Sequence, residues 1–244
     1  MNVLITICGR AGSKGAKNKN FRLFLGKPLI YYTIKSAKLF KENNLDLKVD
    51  ICVNSDNLIA KEIAEKEKVF FIERPSELAM DKTPKVDAIR DVLIKMEKEE
   101  GKEYDYVIDL DITAPLRKIK DIRNALEKTV KTKSDVVFSV VPARRNPYFN
   151  MVEKDKKGKI VFSKPAAYTC RQDAPEVYDM NASIYCYDRN TLVDVSKDPF
   201  DEKIDVIIMS EVYVVDIDHE EDFNVMECLV KNYYKDEFKE IFEK

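Results

Sequence analysis

The 244-residue chain is poor in the features that most often announce a chemistry. It has one histidine, His219, and no nucleophile–base motif, so a covalent mechanism has nothing to start from. Its five cysteines (Cys8, Cys52, Cys170, Cys186 and Cys228) are odd in number and lack CxxC spacing, so neither a disulfide framework nor a zinc site is indicated. No apolar run approaches the roughly 20 residues that span a bilayer, and no signal-peptide pattern is present; the expected location is the cytoplasm, with no membrane partner. A net charge of -2 gives no general pull toward nucleic acid, and no nucleic-acid partner is expected. There is no Walker A box and no GxGxxG, which removes the main support for a nicotinamide cofactor. No internal repeat is visible.

What is present is a globular composition, 45% hydrophobic and 35% charged, with material for a sizeable core. Short β-rich runs at Val3–Ile7, Val49–Val53, Val69–Ile72, Tyr106–Leu110 and Val136–Val141 alternate with helical patterns. Pro28 suits the first position of one helix, and Thr83-Pro84 reads as a cap and first turn of another carrying Val86, Ile89, Leu93 and Met96. Ile119, Ile122, Leu126 and Val130 mark a further helix. Such alternation predicts an α/β fold with a parallel sheet covered by helices on both faces. The rhythm breaks over residues 142–178, where Pro147, Pro165 and Pro175 flank two short strand-like pieces with Lys157-Gly158 near their turn. This stretch reads as an insertion between 1–141 and 179–244. Ser183–Tyr187 and Val212–Val215 return to strand character, and a last helix begins near His219.

The segment after the first strand is the most pointed signal. Gly9, Gly12 and Gly15 are threaded with Arg10, Lys14, Lys17 and Lys19. Glycines let backbone amides approach an anion, and the cations neutralise phosphate charge. At the carboxyl end of a first strand, where ligands of such folds sit, the loop reads as a triphosphate cradle. Asp216 and Asp218 are two apart, so an extended backbone points both carboxylates to one side. The residues alone leave two readings of Asp218 open: a magnesium ligand, or the N-cap of the last helix with Glu221 completing the box. Asp109 and Asp111 form a second same-face pair, costly beside a triphosphate without a cation or sugar hydroxyls.

Five ordered segments then carry a resemblance. Gly9-Arg-Ala-Gly-Ser-Lys-Gly-Ala-Lys-Asn-Lys-Asn20, Glu73-Arg-Pro-Ser-Glu-Leu-Ala79, Thr113-Ala-Pro-Leu-Arg117, Met180-Asn-Ala-Ser-Ile-Tyr185 and Asp216-Ile-Asp218 resemble the acylneuraminate cytidylyltransferases, or CMP-sialic acid synthetases. Val141-Pro-Ala-Arg-Arg-Asn-Pro-Tyr-Phe-Asn150 is most similar to the bacterial branch acting on legionaminic acid. The resemblance implies a Rossmann-like, doubly wound, mainly parallel sheet of the nucleotide-diphospho-sugar transferase type. Residues 1–141 and 179–244 would form it, and 142–178 an inserted β-rich dimerisation and sugar-site subdomain of a homodimer. The implied reaction joins CTP to a nine-carbon 2-keto sugar acid, giving a CMP-sugar and pyrophosphate.

The same resemblance implies the site. Arg10, Ser13, Lys14 and Lys19 would hold the triphosphate, with Asn20 supporting the loop or ribose. Arg10 and Lys14 are also implied in catalysis. Arg74 and Thr83 would lie near the base or ribose, although alone they read equally as a surface cation before a proline turn and a helix cap. Asp216 and Asp218 would hold Mg2+ or another divalent cation. Asp111, Arg171, Asn181 and Phe200 would meet the sugar. Many sialic acid enzymes of the family carry glutamine where this chain has Asp111, which removes a donor, adds a charge and points away from N-acetylneuraminate itself. Two other readings remain at this point: a 3-deoxy-manno-octulosonate cytidylyltransferase, and a regulatory module that binds CTP without transferring it.

Overall fold

The computed structural model describes residues 1–12, 16, 18–164, 168, 171–201 and 203–242, with the Arg171 side chain left out. In chain order the elements are β1 (Asn2–Cys8), the short pair β2 (Leu23–Phe24) and β3 (Lys27–Pro28), α1 (Leu29–Asn43), β4 (Lys48–Ser55), α2 (Leu58–Glu67) and β5 (Phe70–Glu73). There follow α3 (Lys85–Glu100), β6 (Tyr106–Leu110), α4 (Ile119–Thr132), β7 (Val136–Pro142), β8 (Val152–Lys154) and β9 (Ile160–Phe162). The chain closes with β10 (Tyr178–Asp188), α5 (Arg189–Val193), β11 (Ile204–Ile208), α6 (Glu220–Asn232) and α7 (Lys239–Phe242).

Seven strands form one sheet in the order β11-β7-β10-β6-β1-β4-β5. All pairings are parallel except those of β10, which runs antiparallel to β6 and β7. Both faces are covered, and β1 shows why a β-branched run suits that place. Val3, Ile5 and Ile7 join the core under α1, α2, α4 and α6, while Leu4 and Cys8 join the core under α3 and α5. The sheet covered by helices on both faces that the alternation predicts is therefore present, and it is mainly parallel as the resemblance implies.

Several local expectations shift. Pro28 and Pro84 stand just before α1 and α3 rather than inside them, and neither helix has a side-chain cap. Val130 is exposed, because Ile122, Ala125, Leu126 and Thr129 define the buried stripe of α4 and 130 rotates off it. Val212–Val215 is not a strand. Glu211–Val214 forms a 3-10 turn that buries Tyr213 against Phe238, their ring centroids 5.4 Å apart, and Ile204–Ile208 takes the sheet edge instead. Within 142–178, β8 and β9 pair as a separate two-stranded hairpin. Gly158 turns it at φ 78°, and the Asp155 carboxylate accepts from the N–H groups of Lys157 and Lys159. Val152, Ile160 and Phe162 leave apolar surface exposed on this hairpin.

Candidate active site

The chain runs outward from β1 to β4 and β5, then crosses back to lay β6 on the other side of β1. A crevice opens at such a switch point, beyond the carboxyl ends of the strands. Here it is a cleft of about 570 Å³ whose lining includes Gly9, Arg10, Lys19, Asn20, Arg74, Thr83, Lys85, Asp111, Asp216 and Asp218. Main-chain hydrogen bonds stitch its walls together. Gly9 N–H donates to Asn54 C=O (3.0 Å), Arg74 N–H to Ser55 C=O (3.0 Å), and Asp111 N–H to Ser183 C=O (3.1 Å). Ile217 N–H donates to Thr113 C=O (2.9 Å) and Ala16 N–H to Asp218 C=O (2.8 Å).

Gly9 is needed for close approach rather than for an unusual backbone angle. A Cβ there would come within 2.5 Å of Ile112 Cδ1 and 3.0 Å of the Asn20 side chain. Arg10 follows, ion-paired to Asp81 (2.5 Å) and donating to Ala79 C=O (3.3 Å). Asn20 is buried and donates to Arg10 C=O (3.4 Å), a tie within the loop. Ser13 and Lys14 lie outside the described residues.

Arg74 is no surface cation. It is buried, and its Nε donates to Asn54 Oδ1 (2.7 Å), which is itself fixed by donation from Asn54 Nδ2 to Ile72 C=O (3.0 Å). Its Nη2 is buried with no hydrogen-bond partner among the described residues, an orphaned donor on the cleft wall. Thr83 caps no helix. Its hydroxyl donates to Glu77 C=O (2.9 Å) and ties the 77–83 turn at the cleft edge.

The acidic wall also differs from one expectation. The residue before α6 is His219, and Asp222 accepts from the N–H groups of His219 (2.6 Å) and Asp218 (2.8 Å). The capping work expected of Asp218 and Glu221 is thus done one residue later, and the Asp218 carboxylate is released to the cleft, where the Lys19 ammonium meets it. Burial, then the neighbouring Asp218 charge, push the Asp216 carboxyl up. Two oxygen-donor carboxylates with raised mutual cost fit a hard cation such as magnesium, which typically takes one or two carboxylates and completes its shell with phosphates and water. No group of three His, Cys, Asp or Glu side chains that could hold a metal occurs among the described residues.

One residue of the cleft escaped sequence reasoning. Lys85, the first residue of α3, places its Nζ 2.7 Å from Asp109 Oδ2 and 2.7 Å from Asp111 Oδ2. A cation in the first turn of a helix opposes the macrodipole, and that was the available signal. Asp109 is fully buried and its Oδ1 accepts from the Thr6 hydroxyl (2.9 Å). Asp111 Oδ1 accepts from the Thr113 N–H and hydroxyl, both at 2.8 Å. Burial would raise the Asp111 carboxyl, but Lys85 and Thr113 outweigh it and hold it well below the usual carboxylate range. Burial likewise lowers Lys85, and the two aspartates more than reverse it. Beneath them Arg117 is fully buried and donates to the carbonyls of Asp111 and Ala114, fixing the 111–117 loop.

Two expected sugar contacts are not brought to the cleft. Asn181 is buried in a bulge of β10, where the register slips between Met180 and Tyr185 and Ala182 takes φ 51°. Its side chain accepts from the Ser139 hydroxyl (2.6 Å) and donates to Tyr213 C=O (3.3 Å), so it braces the bulge while Ala182 faces the cleft. Phe200 packs on Phe138 (5.6 Å) and Tyr185 (6.2 Å). Arg171 opens a short 3-10 turn, Arg171–Asp173.

The cytidylyltransferase family profile matches residues 4–241. The chain belongs to the cytidylyltransferase family. This cytidylyltransferase is 41% identical over 234 residues to the post-translational flagellin modification protein B of Campylobacter coli, covering 94% of this chain and 95% of that one. It is 40% identical over 233 residues to the CMP-N,N'-diacetyllegionaminic acid synthase of Campylobacter jejuni, covering 93% and 94%. Among solved structures it resembles CMP:2-keto-3-deoxy-manno-octonic acid synthetase complexed with CTP, with a TM-score of 0.69 at 16% identity over 95% of this chain and 99% of that one. The last likeness is one of fold.

Proposed function

We propose that the protein transfers the cytidylyl group of CTP to a sialic-acid-like nonulosonic acid, legionaminic acid or a close relative. The anomeric hydroxyl oxygen of the acid bonds to the α-phosphorus as the bond to the bridging oxygen of pyrophosphate breaks; the CMP-sugar, pyrophosphate and the hydroxyl proton are the products. The carrying observation is the pairing, in one cleft of a cytidylyltransferase, of a cationic wall (Arg10, Lys19, Arg74) with the carboxylates of Asp216 and Asp218. An in-line displacement of this kind needs alignment and charge neutralisation rather than a covalent nucleophile.

Arg10 and Lys19, with Ser13 and Lys14 from the same loop, would hold the triphosphate. The buried Nη2 of Arg74 would donate to an acceptor on the cytosine or ribose, with Thr83 at the same edge. Asp216 and Asp218 would hold the divalent cation, which when bound would neutralise phosphate charge and polarise the α-phosphoryl group. The pairing pattern supports this reading: Arg10 is met by Asp81, Lys19 by Asp218, and Lys85 by Asp109 and Asp111. With Asp218 holding the cation, Lys19 would be left to the triphosphate. Asp111 would face the acceptor, with Arg171 near the acceptor's carboxylate.

The insertion 142–178 is proposed to pair two copies into a homodimer through the exposed apolar side of the β8–β9 hairpin, each helping to close its partner's sugar site. The location proposed is the cytoplasm; no described helix is long and apolar enough to cross a membrane. The test is pyrophosphate release from CTP and Mg2+ with legionaminic, pseudaminic, N-acetylneuraminic and 3-deoxy-manno-octulosonic acids in parallel. Release with legionaminic acid above the others supports the reading, preference for the octulosonic acid replaces it, and CTP binding without release under any acid reduces the protein to a CTP-binding module.

A further inference from the structure

Lys85 is not accounted for by triphosphate binding. Its ammonium has three N–H donors; one bonds Asp111 Oδ2, and the Asp109 contact is an ion pair outside good hydrogen-bond geometry. Lys85 and Asp111 both line the cleft, whereas Asp109 lies wholly beneath it. The ion pair leaves the cleft floor with a fixed donor, an ammonium N–H that Asp111 does not take, directly beside a fixed acceptor, Asp111 Oδ2, which has a second lone pair. Thr113 locks the other carboxylate oxygen, so Asp111 cannot turn away. Asp109 holds Lys85 from below, so the ammonium cannot follow a phosphate out of the floor without stranding a buried carboxylate.

We infer that Lys85 is a specificity-determining residue for the acceptor: with Asp111 it forms a donor–acceptor couple that reads one hydroxyl of the sugar acid, Lys85 donating to the hydroxyl oxygen and the hydroxyl donating to Asp111. This rests on the transfer reaction proposed above and on Asp111 facing the acceptor. A hydroxyl is the group that both accepts and donates at one atom, and sites that hydrogen-bond a hydroxyl from buried charged groups reject its deoxy analogue strongly. A carbonyl or ether at that point would satisfy Lys85 and leave Asp111 facing a lone pair.

The experiment is a cycle in which protein and acceptor are altered together. Wild type, Lys85→Met, Lys85→Arg and Asp111→Asn are assayed with CTP and the nonulosonic acid that wild type turns over best, N,N'-diacetyllegionaminic acid in the first instance, and with its 4-deoxy and 8-deoxy analogues. CTP binding is measured alongside by calorimetry without acceptor. The expected result is a loss of about 100-fold or more in kcat/KM for one deoxy analogue with wild type, shrinking to within about threefold with Asp111→Asn and Lys85→Met. Affinity for CTP should stay within about twofold in both. Asp111→Asn keeps the Lys85–Asp109 pair, so it reads the coupling even if Lys85→Met folds poorly. Lys85→Arg should recover part of the discrimination. Equal losses for each analogue in wild type and variants overturn the inference, as does a tenfold fall in CTP affinity with Lys85→Met, which would make Lys85 a phosphate ligand. A wild-type protein that makes no CMP-sugar from any acid overturns the transfer reading and this inference together.

Discussion

Asp218→Asn separates holding a cation from holding the fold. The substitution keeps the main-chain bonds of residue 218, including Ala16 N–H to its carbonyl and its own N–H to Asp222. It removes one ion pair, to Lys19, whose partners are 15% and 55% exposed. A pair so accessible contributes about 0.2–1 kcal/mol, which in a domain of this size moves Tm by at most about 4 °C. The loss of a carboxylate from the cation site should be larger, on the order of 100-fold in kcat, the scale seen when one preorganised charge partner is removed from a reacting centre. Asp222→Ala is the control with the opposite signature: it strips the acceptor from two N–H groups at the start of α6, costs about 1–2 kcal/mol of stability, and should leave turnover near normal. The assay is scanning calorimetry beside pyrophosphate release across a magnesium titration, where excess magnesium should recover part of the Asp218→Asn activity. Full activity of Asp218→Asn at ordinary magnesium would refute the reasoning and leave the Lys19 pair as the residue's whole role.

Arg10→Ala should lower kcat/KM for CTP by about 10- to 150-fold, the value of one charge-assisted phosphate contact of about 1.5–3 kcal/mol, while Tm barely moves because the Asp81 pair is half open to solvent; unchanged kinetics would return the loop to plain surface. Asn181→Ala should cost about 1–3 kcal/mol in urea unfolding by stranding the Ser139 hydroxyl and Tyr213 carbonyl; a raised acceptor KM at undiminished stability would instead restore the expected sugar contact. Phe162→Lys, on the exposed face of the β8–β9 hairpin, should shift sedimentation from dimer to monomer and depress acceptor turnover, and a wild-type protein that is fully active as a monomer would remove the dimer proposal.

Much of the frame was legible because fully covered strands are mostly apolar on both faces, and Val3–Ile7, Tyr106–Leu110 and Val136–Val141 are so apart from Thr6, Asp109 and Ser139. The start of the glycine-cation loop was legible because a Cβ at Gly9 would crowd Ile112 and Asn20. What hid was set by distant partners. Val212–Val215 is β-rich but turns because Tyr213 has an aromatic slot to fill near the C-terminus. Asp218 matched a cap by spacing, yet α6 starts a residue later and Asp222 takes the work. Lys85 was not singled out, since nothing local says that Asp109 and Asp111 end a strand beside it. Asn181 fitted a ligand-binding motif, but the bulge in β10 turns its amide inward.

The stitching of the cleft walls by main-chain hydrogen bonds bears on how such a protein drifts over generations. Amides and carbonyls at Gly9, Asn54, Asp111, Thr113, Ser183, Ile217 and Asp218 hold the loops in register whatever side chains those positions carry, apart from the glycine. A change of side chain at 111 therefore alters what the floor presents without moving the loop that presents it. If Lys85 and Asp111 read the acceptor as proposed, lineages built on this frame would switch the sugar they favour through one or two codons, and a library randomised only at 85 and 111 would be a short route to new acceptor preferences.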